Sequence, residues 1–186
     1  MKLSFAISAF AAAAAAAKNY MMPISKDAGL VYTNMMCGTT PCGDTNLSNQ
    51  STYTAFLGNR DFRRILMSYS LPSDITDAST IQSCTLMLPQ PVSTSGTGSF
   101  YSLSVSPLVG DYDANTVTPR TAPPAGASIA QFSSTDNLMP PSIDVTAACK
   151  DAVGGNVGLM LDSYAGPVTF PTKLGGSTAQ LMITTM

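Results

Sequence analysis

The chain has 186 residues and a formal net charge of -2, and charged side chains make up 11% of it, against about 25% in ordinary soluble proteins. It contains no His and no Trp, and all eleven acidic residues are Asp. The side chains that most often run acid-base, nucleophilic or metal chemistry are mostly missing, so a non-catalytic protein is expected, and so weak a charge speaks against nucleic acid or an anionic membrane as partner.

Met1 and Lys2 give a short positive start, Leu3 to Ala17 an apolar run, and Ala15-Ala16-Ala17 a small-residue cleavage site before Lys18. Residues 1–17 therefore read as a signal peptide. A membrane anchor would need about 20 strongly apolar residues, and this run is short and mostly Ala. The mature chain of about 169 residues is long enough for one domain with its own core. Its formal charge is near -3 once Lys2 is removed.

Residues 18–26 come next, with Tyr20, Met22 and Ile24 as their apolar side chains. Because the first strand-like stretch lies beyond them at Leu30-Val31-Tyr32, they are expected to form an arm that leaves its own sandwich and adds to a neighbour's sheet edge. The competing expectation is a frayed end, or a segment folded back on residues 27–186. Cys37 and Cys42 enclose Gly38-Thr39-Thr40-Pro41, a turn-forming sequence that would bring them together, which leaves Cys84 to pair with Cys149. Both bridges read as staples, the Cys-x-x-Cys redox spacing being absent. Asn46-Leu47-Ser48 and Asn49-Gln50-Ser51 are both glycosylation sequons, and Ser93 to Ser99 and Thr116 to Thr121 are candidate O-linked segments.

From Arg64 onward apolar and polar residues alternate. Ile65, Met67, Tyr69 and Leu71 share one face of a strand, as do Cys84, Leu86 and Leu88, then Tyr101, Leu103 and Val105. Val157, Leu159 and Leu161, and finally Ala179, Leu181 and Ile183, repeat the pattern. A period of two predicts strands with one buried face. Thirteen Pro and fourteen Gly punctuate the gaps, and only Thr146 to Val153 has a helical composition, with Thr146 as its candidate N-cap. Many short strands without a βαβ rhythm predict an all-β, antiparallel sandwich with one short helix, stapled by disulfides.

Four stretches also carry a family likeness. Asp61-Phe62-Arg63-Arg64-Ile65-Leu66-Met67-Ser68-Tyr69-Ser70-Leu71-Pro72, Ile81-Gln82-Ser83-Cys84-Thr85-Leu86-Met87-Leu88, Ile143-Asp144-Val145-Thr146 and Val157-Gly158-Leu159-Met160-Leu161 occur in the order and spacing of the DNRLRE-type modules. The chain resembles that family over roughly Lys26 to Met186. The resemblance implies a jelly-roll β-sandwich of the kind grouped with carbohydrate-binding modules. It departs from the family between Gly110 and Pro119, where a Trp is usual and Tyr112 is the only aromatic.

Arg63 or Arg64, at the start of an apolar strand, is expected to be held by an inward Asp such as Asp144, which could equally cap the following helix. Asp111, Asp113 and Asn115 have the opening spacing of a calcium loop, but Thr116 stands where that loop needs Gly and Ala122 where it needs Glu. An Asx-rich turn is the plain reading, and apart from that structural calcium no cofactor is expected. Two functions fit this sequence. One is a structural glycoprotein that assembles with copies of itself into an extracellular filament or coat, favoured by the hydroxyl-rich, charge-poor surface and by Met21-Met22 and Met35-Met36. The other is a carbohydrate-binding module for an extracellular or cell-wall polysaccharide, so that glycans, covalent or bound, are partners in both.

Overall fold

The computed structural model describes residues 16–33, 36–37, 40–41, 45–58, 61–94, 101–134 and 142–186. The first strands are β1 (Lys18–Pro23), β2 (Lys26–Thr33), β3 (Met36–Cys37), β4 (Thr40–Pro41) and β5 (Thr45–Asn46). There follow β6 (Thr52–Leu57), β7 (Asp61–Ser70), β8 (Ile81–Met87), β9 (Ser93–Thr94), β10 (Tyr101–Pro107) and β11 (Ala130–Ser134). The chain closes with β12 (Ile143–Asp144), a helix α1 (Thr146–Asp151), β13 (Asn156–Ser163), β14 (Val168–Pro171) and β15 (Gln180–Thr185).

These strands build the expected antiparallel sandwich. The smaller sheet has the order β1-β15-β8-β12, and the larger runs β11-β10-β13-β7-β6-β14-β9, with β2 on the other edge of β7 and β5 beside β2. The chain passes back and forth between the two, as in a jelly roll. One core lies between them: Ile65, Met67 and Tyr69 of β7 and Leu103 and Val105 of β10 meet Cys84 and Leu86 of β8 and Leu181 and Ile183 of β15. These are the residues whose alternation marks the strands, and burying each large apolar side chain among them contributes about 1.5–3 kcal/mol.

The larger sheet is buried on its outer face as well. Residues 108–129, between β10 and β11, fold back over it and form a second cluster of Tyr112 and Val117 with Ala28, Leu30, Leu66 and Met160. The cover also reaches β10, where the hydroxyl of Ser104, 4% exposed, lies 2.8 Å from that of Ser128. Tyr112 is therefore an anchor for the cover. Its hydroxyl donates to the Lys26 carbonyl at 3.3 Å, and its ring lies 4.7 Å from the Lys26 ammonium, so it has no face left for a ligand.

Residues 18–26 fold back on residues 27–186 of the same chain, the competing expectation. β1 pairs along its whole length with β15 of the same chain, Tyr20 opposite Ile183 and Met22 opposite Leu181. Tyr20 and Met22 pack on the core and Ile24 lies within it, 5% exposed. Only Ser25 separates Ile24 from β2, and its backbone N–H donates to the Ser68 carbonyl at 2.8 Å. So short a link delivers the segment to the open edge of its own β15, and the Tyr20 hydroxyl donates to Asp74 at 2.6 Å.

The helix is shorter than expected and capped differently. Val145, not Thr146, occupies the N-cap position. The Val145 backbone N–H donates to the Cys84 carbonyl, which carries Thr146 against β8, where its hydroxyl accepts from the Cys84 N–H at 2.9 Å. Cys84 and Cys149 are bonded, as expected, tying β8 to α1. The Cys37–Cys42 pairing lies outside the described residues because Cys42 does, as do residues 1–15 of the expected leader 1–17 and residues 95–99 of the candidate O-linked segment 93–99. β3 and β4 form a two-stranded ribbon.

Candidate functional site

A polar concavity lies where β6, β7 and β14 meet. In β6, Tyr53 and Ala55 point into the core, so Thr54 between them points away from it. β14 repeats the pattern, with Val168 and Phe170 inward and Thr169 outward, and the register sets Thr169 opposite Thr54. Their hydroxyls are 2.8 Å apart. Phe56 faces Arg63 across the β6–β7 pair. Thr54, Phe56, Asp61, Arg63, Pro167 and Thr169 together line a cleft of about 360 Å3.

Gly58 shapes this corner. Its N–H donates to the Asp61 carbonyl at 2.8 Å, closing the turn between β6 and β7. A Cβ at position 58 would lie 2.7 Å from the Asp61 carboxylate and 2.8 Å from the Phe56 ring, so only glycine lets both come this close. The ion pairs among the described residues are Lys18–Asp74, Lys26–Asp111 and Arg64–Asp162. Asp61 and Arg63 take part in none of them. The cleft therefore offers a guanidinium, a carboxylate, two hydroxyls and one aromatic ring, with neither charge neutralised by a described partner.

Arg64 points to the opposite face of β7 and does something else. Its Nε donates to Asp162 of β13 at 3.0 Å, correcting the expected pairing with Asp144. The register explains the choice, since Asp162 and Arg64 face the same side on neighbouring strands. The guanidinium also lies 4.5 Å from the Phe62 ring centre, and Phe62 stacks on Tyr32 at 5.1 Å. Burial pushes the Asp162 carboxyl above the usual carboxylate range, and the Arg64 charge opposes that shift. Asp144 accepts from the Thr146 N–H at 2.9 Å and from its hydroxyl at 2.6 Å, bonds that hold its pKa below the usual range.

The calcium-loop residues do not converge. Asp111 accepts from the Lys26 ammonium, which pulls its pKa down. Asp113 accepts from the Asn115 N–H at 2.9 Å in an Asx turn, and no cluster of three or more metal-ligating side chains occurs among the described residues. The two sequons differ sharply. Asn46 donates its side-chain amide to the Ala114 carbonyl at 2.8 Å and the Val117 carbonyl at 2.7 Å, whereas Asn49 sits exposed in a turn.

A larger concavity of about 600 Å3 lies between residues 107–111, the end of α1 and the start of β13. Its described lining includes Leu108, Val109, Ala148 and Ala152, with Asp111 and Asp151 as charges and no aromatic ring among these described residues. Thr54, Phe56, Asp61 and Thr169 were not candidates from sequence. The alternation of Tyr53 and Ala55 with Thr54 and Phe56 was the available signal, and it marks an outward face without saying what gathers there.

No family model matches the chain. An uncharacterized secreted protein of Arthroderma benhamiae is similar to it, 26% identical over 171 residues that span 86% of this chain and 82% of the relative. That likeness agrees with the leader, and the protein is secreted. Among the described residues no helix is long and apolar enough to cross a membrane.

Proposed function

We propose that this secreted protein is a non-catalytic carbohydrate-binding module that recognises a neutral extracellular or cell-wall polysaccharide in the cleft between β6, β7 and β14. The observation that carries this reading is the lining of the cleft, in which Phe56 supplies an apolar ring beside Asp61, Arg63, Thr54 and Thr169. Polysaccharides present alternating apolar ring faces and hydroxyls, and a site with one flat apolar contact and several convergent polar groups matches both. Asp61 is the one carboxylate in the described lining, while hydrolysis of a glycosidic bond ordinarily requires two.

The test is depletion from solution by insoluble polysaccharides such as chitin, β-glucan and cellulose. The native protein should sediment with at least one of them, and Phe56→Ala combined with Arg63→Ala should lower the bound fraction at least tenfold while leaving thermal unfolding unchanged. Equal retention of the double variant would exclude this cleft.

A second reading, a homopolymeric coat or filament, is favoured by the position of β1 at a sheet edge. A copy exchanging this strand with its neighbour would keep the whole β1–β15 ladder. Light scattering on the native protein separates the two. A monomer fits the binding module, and a concentration-dependent polymer fits strand exchange.

A further inference from the structure

We infer that of the chain's two sequons only Asn49 carries an N-linked glycan in the folded protein, and that Asn46 is a strut whose side-chain amide is already committed. Both Asn46-Leu47-Ser48 and Asn49-Gln50-Ser51 satisfy the acceptor pattern, so sequence alone treats them alike. Their surroundings do not. Asn46 lies in β5, half-buried, and both hydrogens of its amide are used, one on the Ala114 carbonyl at 2.8 Å and one on the Val117 carbonyl at 2.7 Å. Its carbonyl oxygen accepts from the Ser48 N–H at 2.8 Å, so every polar position of the side chain is satisfied.

N-glycosylation moves an oligosaccharide from a lipid pyrophosphate carrier to the amide nitrogen. The bond from the sugar's anomeric carbon to the pyrophosphate oxygen breaks, a bond from that carbon to the nitrogen forms, and one amide proton leaves with the pyrophosphate. The modified nitrogen keeps a single N–H. At Asn46 one of its two bonds to residues 114 and 117 would be lost, and the sugar would have to occupy the side on which those residues lie. This is the stretch that seats Tyr112 and Val117 over the outer sheet face, so a glycan there opposes closure of the cover.

Asn49 has the opposite environment. It is exposed, and its side chain forms no hydrogen bond with a described residue. Yet the backbone around it is held. The Gln50 N–H donates to the Leu47 carbonyl at 3.3 Å, the Thr172 hydroxyl to the Gln50 carbonyl at 2.7 Å, and the Thr172 N–H to the Ser51 carbonyl at 3.0 Å. A glycan on Asn49 projects into solvent from a fixed turn and displaces nothing.

The experiment uses full-length protein secreted from a eukaryotic host. Glycans are removed by an amidase in heavy-oxygen water, which marks each formerly modified Asn as a labelled Asp, and peptides are then mapped by mass. Label is expected at position 49 and none at 46. Ser51→Ala should abolish the glycan mass, while Ser48→Ala, which destroys the first sequon without altering the Asn46 side chain, should leave it unchanged. Because Asn46→Gln can fail to fold, Ser48→Ala is the decisive variant. Label at Asn46, loss of glycan in Ser48→Ala, or a secreted protein bare at Asn49 would each overturn the assignment.

Discussion

Arg64 and Asp162 pair where burial makes the partnership count. The Asp162 side chain is 7% exposed and that of Arg64 34%, so Arg64→Ala leaves a buried carboxylate without its cation, at a cost of about 3 kcal/mol near neutral pH. The sign of the pH dependence follows from the direction of the shift. Burial already raises the Asp162 pKa, and losing Arg64, the group that opposes the rise, raises it further. A carboxyl whose folded pKa exceeds its unfolded value binds a proton more tightly when folded. The variant's deficit should therefore be full above the folded pKa and shrink as pH falls through it toward the unfolded value of about 3.9. Urea unfolding of native and variant protein across this range reads the effect, and a deficit equal at pH 8 and pH 4 would show that the lost packing on Phe62 dominates instead. Asp111 and Asp144 behave oppositely, since Lys26 and Thr146 lower their pKa values and the stability they contribute is lost on acidification.

β1 and α1 each hold the sandwich shut from its margin. Deleting residues 18–24 removes Ile24 from the core together with the packing of Tyr20 and Met22, and exposes the edge of β15. We expect the truncated protein to lose about 3–5 kcal/mol and to aggregate through that edge, as seen by unfolding and light scattering. A truncation that stays folded with an unchanged unfolding midpoint would mean that the domain closes without its first strand. The Cys84–Cys149 bridge spans 65 residues of sequence, and closing so long a loop restricts the unfolded chain by roughly 4 kcal/mol on loop-entropy grounds. Cys84→Ala with Cys149→Ala should lower stability by roughly that amount, with near-native circular dichroism at low temperature. A loss below about 1 kcal/mol would indicate that the staple constrains little beyond what β12 and α1 already fix.

The whole sandwich shows which kinds of information lie along a sequence. Alternation at Ile65, Met67 and Tyr69, or at Leu181 and Ile183, marks core strands directly, because the strand period is a local property and one face must be buried. The second bridge was likewise legible, by elimination once Cys37 and Cys42 are set together. Partner choice is not local. Arg64 meets Asp162 across 98 residues and Thr54 meets Thr169 across 115, and strand register, which composition does not encode, sets both contacts. Tyr112 is buried only through the cover formed by residues 108–129, which brings it onto β2, β7 and β13 far away in sequence. The cleft is assembled from β6, β7 and β14, so its alternating residues were visible one strand at a time and its chemistry only after folding. The claim that this cleft binds polysaccharide is tested most directly by nuclear magnetic resonance, with isotope-labelled protein titrated by soluble oligosaccharides cut from whichever polymer retains it. Progressive, saturable shifts confined to Thr54, Phe56, Asp61, Arg63 and Thr169 are the expected result, and shifts elsewhere with these five unmoved would contradict it.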